Sequence, residues 1–416
     1  MGIMADIKPF RGYRPQADYV ARMACPPYDV LSSAEARDLA GHNSLSFLHV
    51  VKPEIDLDPS IDVHSEQVYK TGAKNLKKLI SNGHLVRDSR PCFYVYQQRM
   101  GGHVQAGLVA GASVDEYQSG LIKKHEHTRP DKELDRARHI EILNANTEPV
   151  FLTYRTNWDV QVLIAQVRNA SPTYDFASED GVHHTLWVVD EQELIDAFIR
   201  TFAQVPCLYV ADGHHRSAAA SRVREIKKQA HPQHTGREQY NYFLAVIFPH
   251  DQLQILDYNR VVKDLNGLSP NEFLARVRRK FDVEPAQQPQ PIEKKTFGMY
   301  LNGSWYHLRA RKGAFPADDP VGSLDVSILQ DNLLAPILGI KDPRTDQRID
   351  FVGGIRGMSE LEKRCNEGGA AAAFALYPTS VNELLAIADT GMVMPPKSTW
   401  FEPKLKSGIV VRMLDD

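Results

Sequence analysis

The chain carries only four cysteines in 416 residues, Cys25, Cys92, Cys207 and Cys365, and no two of them are close. That scarcity excludes paired-cysteine zinc knuckles and CxxC redox centres, and it reads as buried, reduced thiols of a cytoplasmic protein. Long apolar runs are missing as well. None approaches the roughly 18 residues of a membrane span, and the blandest stretch, 370–376, is alanine-rich and stopped by Pro378. The opening MGIMADIKPFRGYRP meets proline and charge before any apolar segment, so no secretory leader is expected. Charge of one sign is not in excess: 49 Lys+Arg face 52 Asp+Glu, for a formal net charge of −3. That balance argues against a protein that coats nucleic acid, and neither a nucleic-acid nor a membrane partner is expected. No GxxxxGK[ST] loop and no GxGxxG after a strand occurs, which removes P-loop and dinucleotide-fold enzymes; Gly353-Gly354 with Arg356 and Gly357 reads as a turn.

What remains is ordinary globular material, 43% hydrophobic and 24% charged, enough for two or three packed units. Periodicity and punctuation predict helices over 33–40 and 65–82, the latter stopped at Gly83, and a hairpin of strands 92–97 and 104–114. The charged stretch 115–146 is expected to be mostly helical. Strands at 150–154, 185–190, 207–211 and 242–248 and helices at 191–202 and 216–229 follow. The order of elements is α+β, without the regular alternation of a doubly wound sheet. Three regions are expected: an N-terminal α+β region (1–115), a catalytic core (116–250) and a C-terminal α+β region (251–416) folding back onto the core.

The densest chemistry lies in VADGHHRSAAA, residues 210–220. An apolar strand ends at Ala211-Asp212-Gly213, and Ala218, Ala219, Ala220, Val223 and Ile226 then recur at helical spacing. At such a junction the first helical amides lack internal partners and the helix dipole adds partial positive charge, so anions are favoured. Gly213 lets backbone approach a ligand, and Arg216 can grip a phosphate. Asp212 can hold Mg²⁺ or accept a hydroxyl proton, while His214 and His215 supply donors or a neutral base. The plainer account, Asp212 as a helix cap, leaves two histidines and an arginine unexplained.

A second concentration is KKHEHTRPDKELDRARH (123–139). His125 and His127 could ligate a metal if extended. Arg129 and Arg138 could meet nucleotide phosphates, and Glu126 could act as a base. In PPYDV (26–30) Asp29 could orient a substrate; Asn144, Asn146 and Thr147 could extend the same surface. Near the end, Lys397 in MPPKSTWFEPKLKSG, with Ser398 and Thr399, could meet a phosphate.

Taken in order, PPYDV, KKHEHTRPDKELDRARHIEILNANTEPVFLTY, VADGHHRSAAA and MPPKSTWFEPKLKSG resemble the bacterial and archaeal domain-of-unknown-function family numbered 1015, nearly end to end. The DGHHR turn, Asp212 to Arg216, is also similar to that of the free serine kinases of the ParB/sulfiredoxin-like superfamily, which phosphorylate L-serine using ADP or ATP with Mg²⁺. This second likeness covers only the turn with its flanking strand and helix. It implies a mixed-sheet ParB-like core and catalytic work for Asp212, His214 and His215. Gly213, Arg216, Arg129, Arg138, His125, His127 and Lys397 would hold the nucleotide, and Asp212 would hold Mg²⁺. Those kinases use a glutamate well before the motif, and Glu126 is the residue of this chain that would take that role. The resulting expectation is a kinase-type phosphotransferase for a small hydroxylated metabolite, free L-serine first. Two alternatives stand beside it: a ParB-like nucleotide-binding switch, and a metal-dependent hydrolase built on His125, His127, His214 and His215. Self-association is left open.

Overall fold

The sequences FYVYQQRM and HVQAGLVAGAS fold as the expected hairpin, Phe93–Met100 against His103–Ser113, turning at Gly101 with a φ of 56°. This computed structural model describes residues 5–415. It divides into two units, one of residues 5–253 with 403–415 and the other of residues 254–402.

The hairpin is the middle of a nine-stranded mixed sheet in the first unit. Across one edge the order runs from His103–Ser113 to Tyr242–Pro249, Val150–Tyr154, Leu208–Asp212 and Ile122–Lys123. Across the other it runs through Phe93–Met100 and His183–Val189 to Tyr174–Ala177, and Ile7–Lys8 joins beside Gly111 and Ala112. Two pairings are parallel, Tyr242–Pro249 with Val150–Tyr154 and Leu208–Asp212 with Ile122–Lys123; the others are antiparallel. Alternate residues such as Val95, Leu108, Leu152, Ile247 and Val210 form one apolar face, packed with Ile164, Phe198 and Ala219 of the covering helices. A separate core joins Ala36, Leu48, Leu76, Leu79 and Leu143 from helices Ser33–Ala40, Leu48–Val51, Glu66–Ser81 and Pro130–Leu143. The opposite sheet face buries Gln98 and Gln105. Gln105 Nε2 donates to Gln98 Oε1 at 3.0 Å, and Gln98 Nε2 donates to the Lys404 carbonyl at 2.9 Å. This amide chain ties the C-terminal segment to the sheet.

The second unit holds a six-stranded antiparallel sheet, ordered Phe281–Pro285, Ser304–Ala310, Thr296–Leu301, Ala372–Leu376, Tyr258–Val262 and Ile349–Gly353. Two of its helices start on capping boxes, Ser269 with Glu272 and Ser380 with Glu383, where side chain and backbone satisfy each other's orphan groups.

Several expectations shift. The division expected at 115/116 runs through a continuous sheet, because His103–Ser113 pairs with Tyr242–Pro249. Of the region 251–416, only 403–415 joins the first unit. The stretch 115–146 is not mostly one helix: Val114–Ser119 ends at left-handed Gly120, and Pro130 opens the next helix, Pro130–Leu143. The helix expected from Arg216 begins two residues earlier, at His214. No helix of the described residues is long and apolar enough to cross a membrane.

Candidate functional site

Val210 and Ala211 are buried, and between Val210 and Asp212 the register with Val150–Tyr154 shifts, a bulge that re-aims the strand end. Gly213 then adopts a φ of 96° and starts the 17-residue helix His214–Ala230 with no side-chain cap. A Cβ at Gly213 would stand 3.2 Å from the Arg216 guanidinium carbon, so backbone angle and space both call for glycine. The helix start is therefore an uncapped, positively polarised end beside the Asp212 carboxylate.

Asp212 is half-buried between two cations. Its Oδ2 accepts from Lys404 Nζ at 2.9 Å, and its Oδ1 lies 3.8 Å from Arg216 Nη2. Burial disfavours its charge, yet the Lys404 ammonium and Arg216 guanidinium hold the carboxyl well below the usual carboxylate range. Arg216 is buried and donates Nη1 to the Pro149 carbonyl. Its guanidinium thus braces the turn. Burial acts against the Arg216 charge, and Asp29, Asp212 and Glu148 together raise its pKa.

Strand Ile122–Lys123, paired with Leu208 and Tyr209, delivers the next residues to the same place. The His125 amide donates to His214 Nε2 at 3.5 Å, and the two rings meet edge to face with centroids 4.4 Å apart. Burial lowers the pKa of His125 to about 4 and that of His214 well below the ordinary value, which disfavours the charged rings. His215 is half-buried and accepts the Arg129 amide on Nε2 at 3.1 Å. Ligand atoms of His125, Glu126 and His214 all lie within 4.8 Å of one another.

Five of the expected residues, Asp212 to Arg216, are joined by His125, Glu126 and the backbone of Arg129. The side chain of Arg129 turns to Asp131, 2.8 Å away, and His127 is exposed. Arg138 lies on the exposed face of its helix, whereas its neighbour Arg136 is buried over the Tyr28 ring at 4.0 Å. Lys397 belongs to the second unit, with its ammonium 5.7 Å from the Tyr258 ring. Lys404, two positions after Glu402 in the same motif, is the lysine that meets Asp212. A buried layer behind the turn also emerges. Tyr28 N–H donates to Glu148 Oε1 at 3.0 Å, and Arg136 Nη1 is 3.5 Å from Glu148. Arg136, His139, Glu148 and Arg216 line a cavity of about 20 Å³, room for roughly one water. PPYDV marked this layer in the sequence, whereas the long-range pairings that Glu148, Arg136 and Lys404 make carried no local signal.

A magnesium ion on Asp212 does not fit this arrangement. One carboxylate oxygen is taken by an ammonium and the other faces a guanidinium, whereas Mg²⁺ seeks one or two unengaged carboxylates beside phosphate oxygens.

Residues 7–327 match the family described as protein of unknown function DUF1015, and the chain belongs to that family. No curated protein matches the chain. Among solved structures it is similar to a conserved hypothetical protein from Pyrococcus furiosus, at 12% identity and a TM-score of 0.36, over 74% of this chain and 95% of that one. A free serine kinase in complex with AMP matches at 12% identity and a TM-score of 0.36, over 71% and 86%. SbnI from Staphylococcus aureus, truncated at its C-terminus, matches at 13% identity and 0.39, over 72% and 85%.

Proposed function

We propose that this chain is a nucleotide-dependent phosphotransferase with a ParB/sulfiredoxin-like core, taking ATP or ADP as donor and a small hydroxylated metabolite as acceptor. Free L-serine is the first candidate, on the strength of the DGHHR resemblance. The observation that carries the reading is the Asp212–Lys404 pair at an uncapped helix start. The amides of His214 and His215 and the Lys404 ammonium would bind the transferred phosphoryl group and stabilise its spreading negative charge. Asp212, ionised throughout the working pH range, would accept a hydrogen bond from the acceptor hydroxyl. As the oxygen–phosphorus bond forms and the bond to the nucleotide breaks, it would take the hydroxyl proton. Phosphoryl transfer through a loose transition state relies on positioning and charge more than on base strength, so a carboxylate of low proton affinity suffices. Magnesium carried by the nucleotide would neutralise phosphate charge.

The experiment is turnover of purified protein with ATP or ADP, Mg²⁺ and L-serine, extended to a panel of hydroxylated amino acids and small metabolites. Phosphoserine is the expected product. A panel without a single phosphorylated acceptor contradicts the proposal.

A further inference from the structure

Two imidazoles and one carboxylate meet where the loop after Ile122–Lys123 faces the start of His214–Ala230. The His125 ring is 2% exposed and lies beside the Val210 backbone. Its buried Nδ1 has no hydrogen-bond partner among the described residues. A buried imidazole nitrogen without a protein partner is what a metal-binding histidine offers to an ion. His214, 5% exposed, sits edge to face against it, and its Nε2 meets the His125 amide at a long 3.5 Å. Glu126, half-buried on the same loop, completes a set whose ligand atoms lie within 4.8 Å of one another. Burying two imidazoles together, one with an orphaned nitrogen, is unfavourable without a partner for that nitrogen.

We infer that His125, Glu126 and His214 form a binding site for one divalent transition-metal ion of the zinc class. Two nitrogens and one carboxylate suit Zn²⁺, Co²⁺, Mn²⁺ or Fe²⁺ and are wrong for Mg²⁺, which prefers oxygen ligands. Three protein ligands leave at least one coordination position for water or a substrate atom. The site differs from the sequence-based hydrolase set, because exposed His127 is outside it and Glu126 is inside. It goes beyond the phosphotransfer reading and stands without it.

The test is titration of the metal-stripped full chain with Zn²⁺ by calorimetry and with Co²⁺ by its visible ligand-field absorption. The wild type is expected to bind one equivalent. Glu126→Gln is expected to weaken binding at least about tenfold and His125→Asn further, with His42→Ala, an exposed histidine elsewhere, unchanged. Circular dichroism checks that each variant is folded, and if His125→Asn fails that check, Glu126→Gln decides. Absence of stoichiometric binding by the folded wild type overturns the inference, as does wild-type affinity in folded Glu126→Gln. A phosphotransfer assay that fails leaves this result intact, so the two readings fall separately.

Discussion

Gly213 and Lys404 are the two residues whose replacement says most about the turn. Gly213 holds a φ of 96° with the Arg216 side chain against the space a Cβ would need. Gly213→Ala is expected to cost about 1–3 kcal/mol, read as a lower denaturation midpoint; an unchanged midpoint would show that the turn relaxes freely. Lys404→Met removes the ammonium 2.9 Å from Asp212. The depressed carboxyl pKa then rises towards its ordinary value, so the acid limb of any pH–rate profile should move to higher pH while turnover falls. A profile whose acid limb stays put would mean Asp212 does not govern it. Lys404 was illegible as a partner because it lies 192 residues from Asp212, and no local spacing encodes such a contact.

At the level of elements, strong periodicity was readable. Helix Ser33–Ala40, helix Glu66–Ser81, helix Gln192–Phe202 and the hairpin all fall within a few residues of their expected bounds. Short edge strands were not readable: Ile122–Lys123 has two residues and hence no period, yet its parallel pairing carries His125 to His214. Charge density over 115–146 suggested helix, and Gly120 together with Pro130 overrode it. The loop those two residues leave is what allows the second half of the site to form. In the second unit the capping boxes make a sharper forecast. Ser269→Ala should cost about 1 kcal/mol of stability, measured by chemical denaturation, without altering phosphotransfer; loss of turnover in that variant would tie the cap to the chemistry.

Across the whole molecule, the polypeptide leaves the first unit after Leu253 and returns at Pro403, bringing Lys404 and Lys406 with it. That return was anticipated only as a C-terminal α+β region, 251–416, folding back onto the core. The first unit also buries His139 and His184, where burial first, then the charges of Arg136 and Lys406 respectively, lower each pKa to about 3. The unfolded chain takes up protons on these rings below about pH 6.5, which the folded state refuses. The contribution of these two rings should therefore be constant above that pH and fall as acid is added, by up to about 1.4 kcal/mol per pH unit for each histidine, until the folded pKa is reached. Urea denaturation of the wild type and of His184→Phe at about pH 7 and about pH 5 checks this: the wild type should lose more stability on acidification than the variant, and equal losses would refute it.

The central claim, that a phosphoryl group is transferred at the Asp212–Gly213 turn, is tested most directly by phosphorus NMR of one reaction mixture. With nucleotide, Mg²⁺ and L-serine, wild-type protein should show a phosphomonoester resonance growing as the donor phosphate declines, and Asp212→Asn should slow it at least about a hundredfold. A donor signal that stays constant with the wild type, or equal rates for wild type and Asp212→Asn, would contradict the claim.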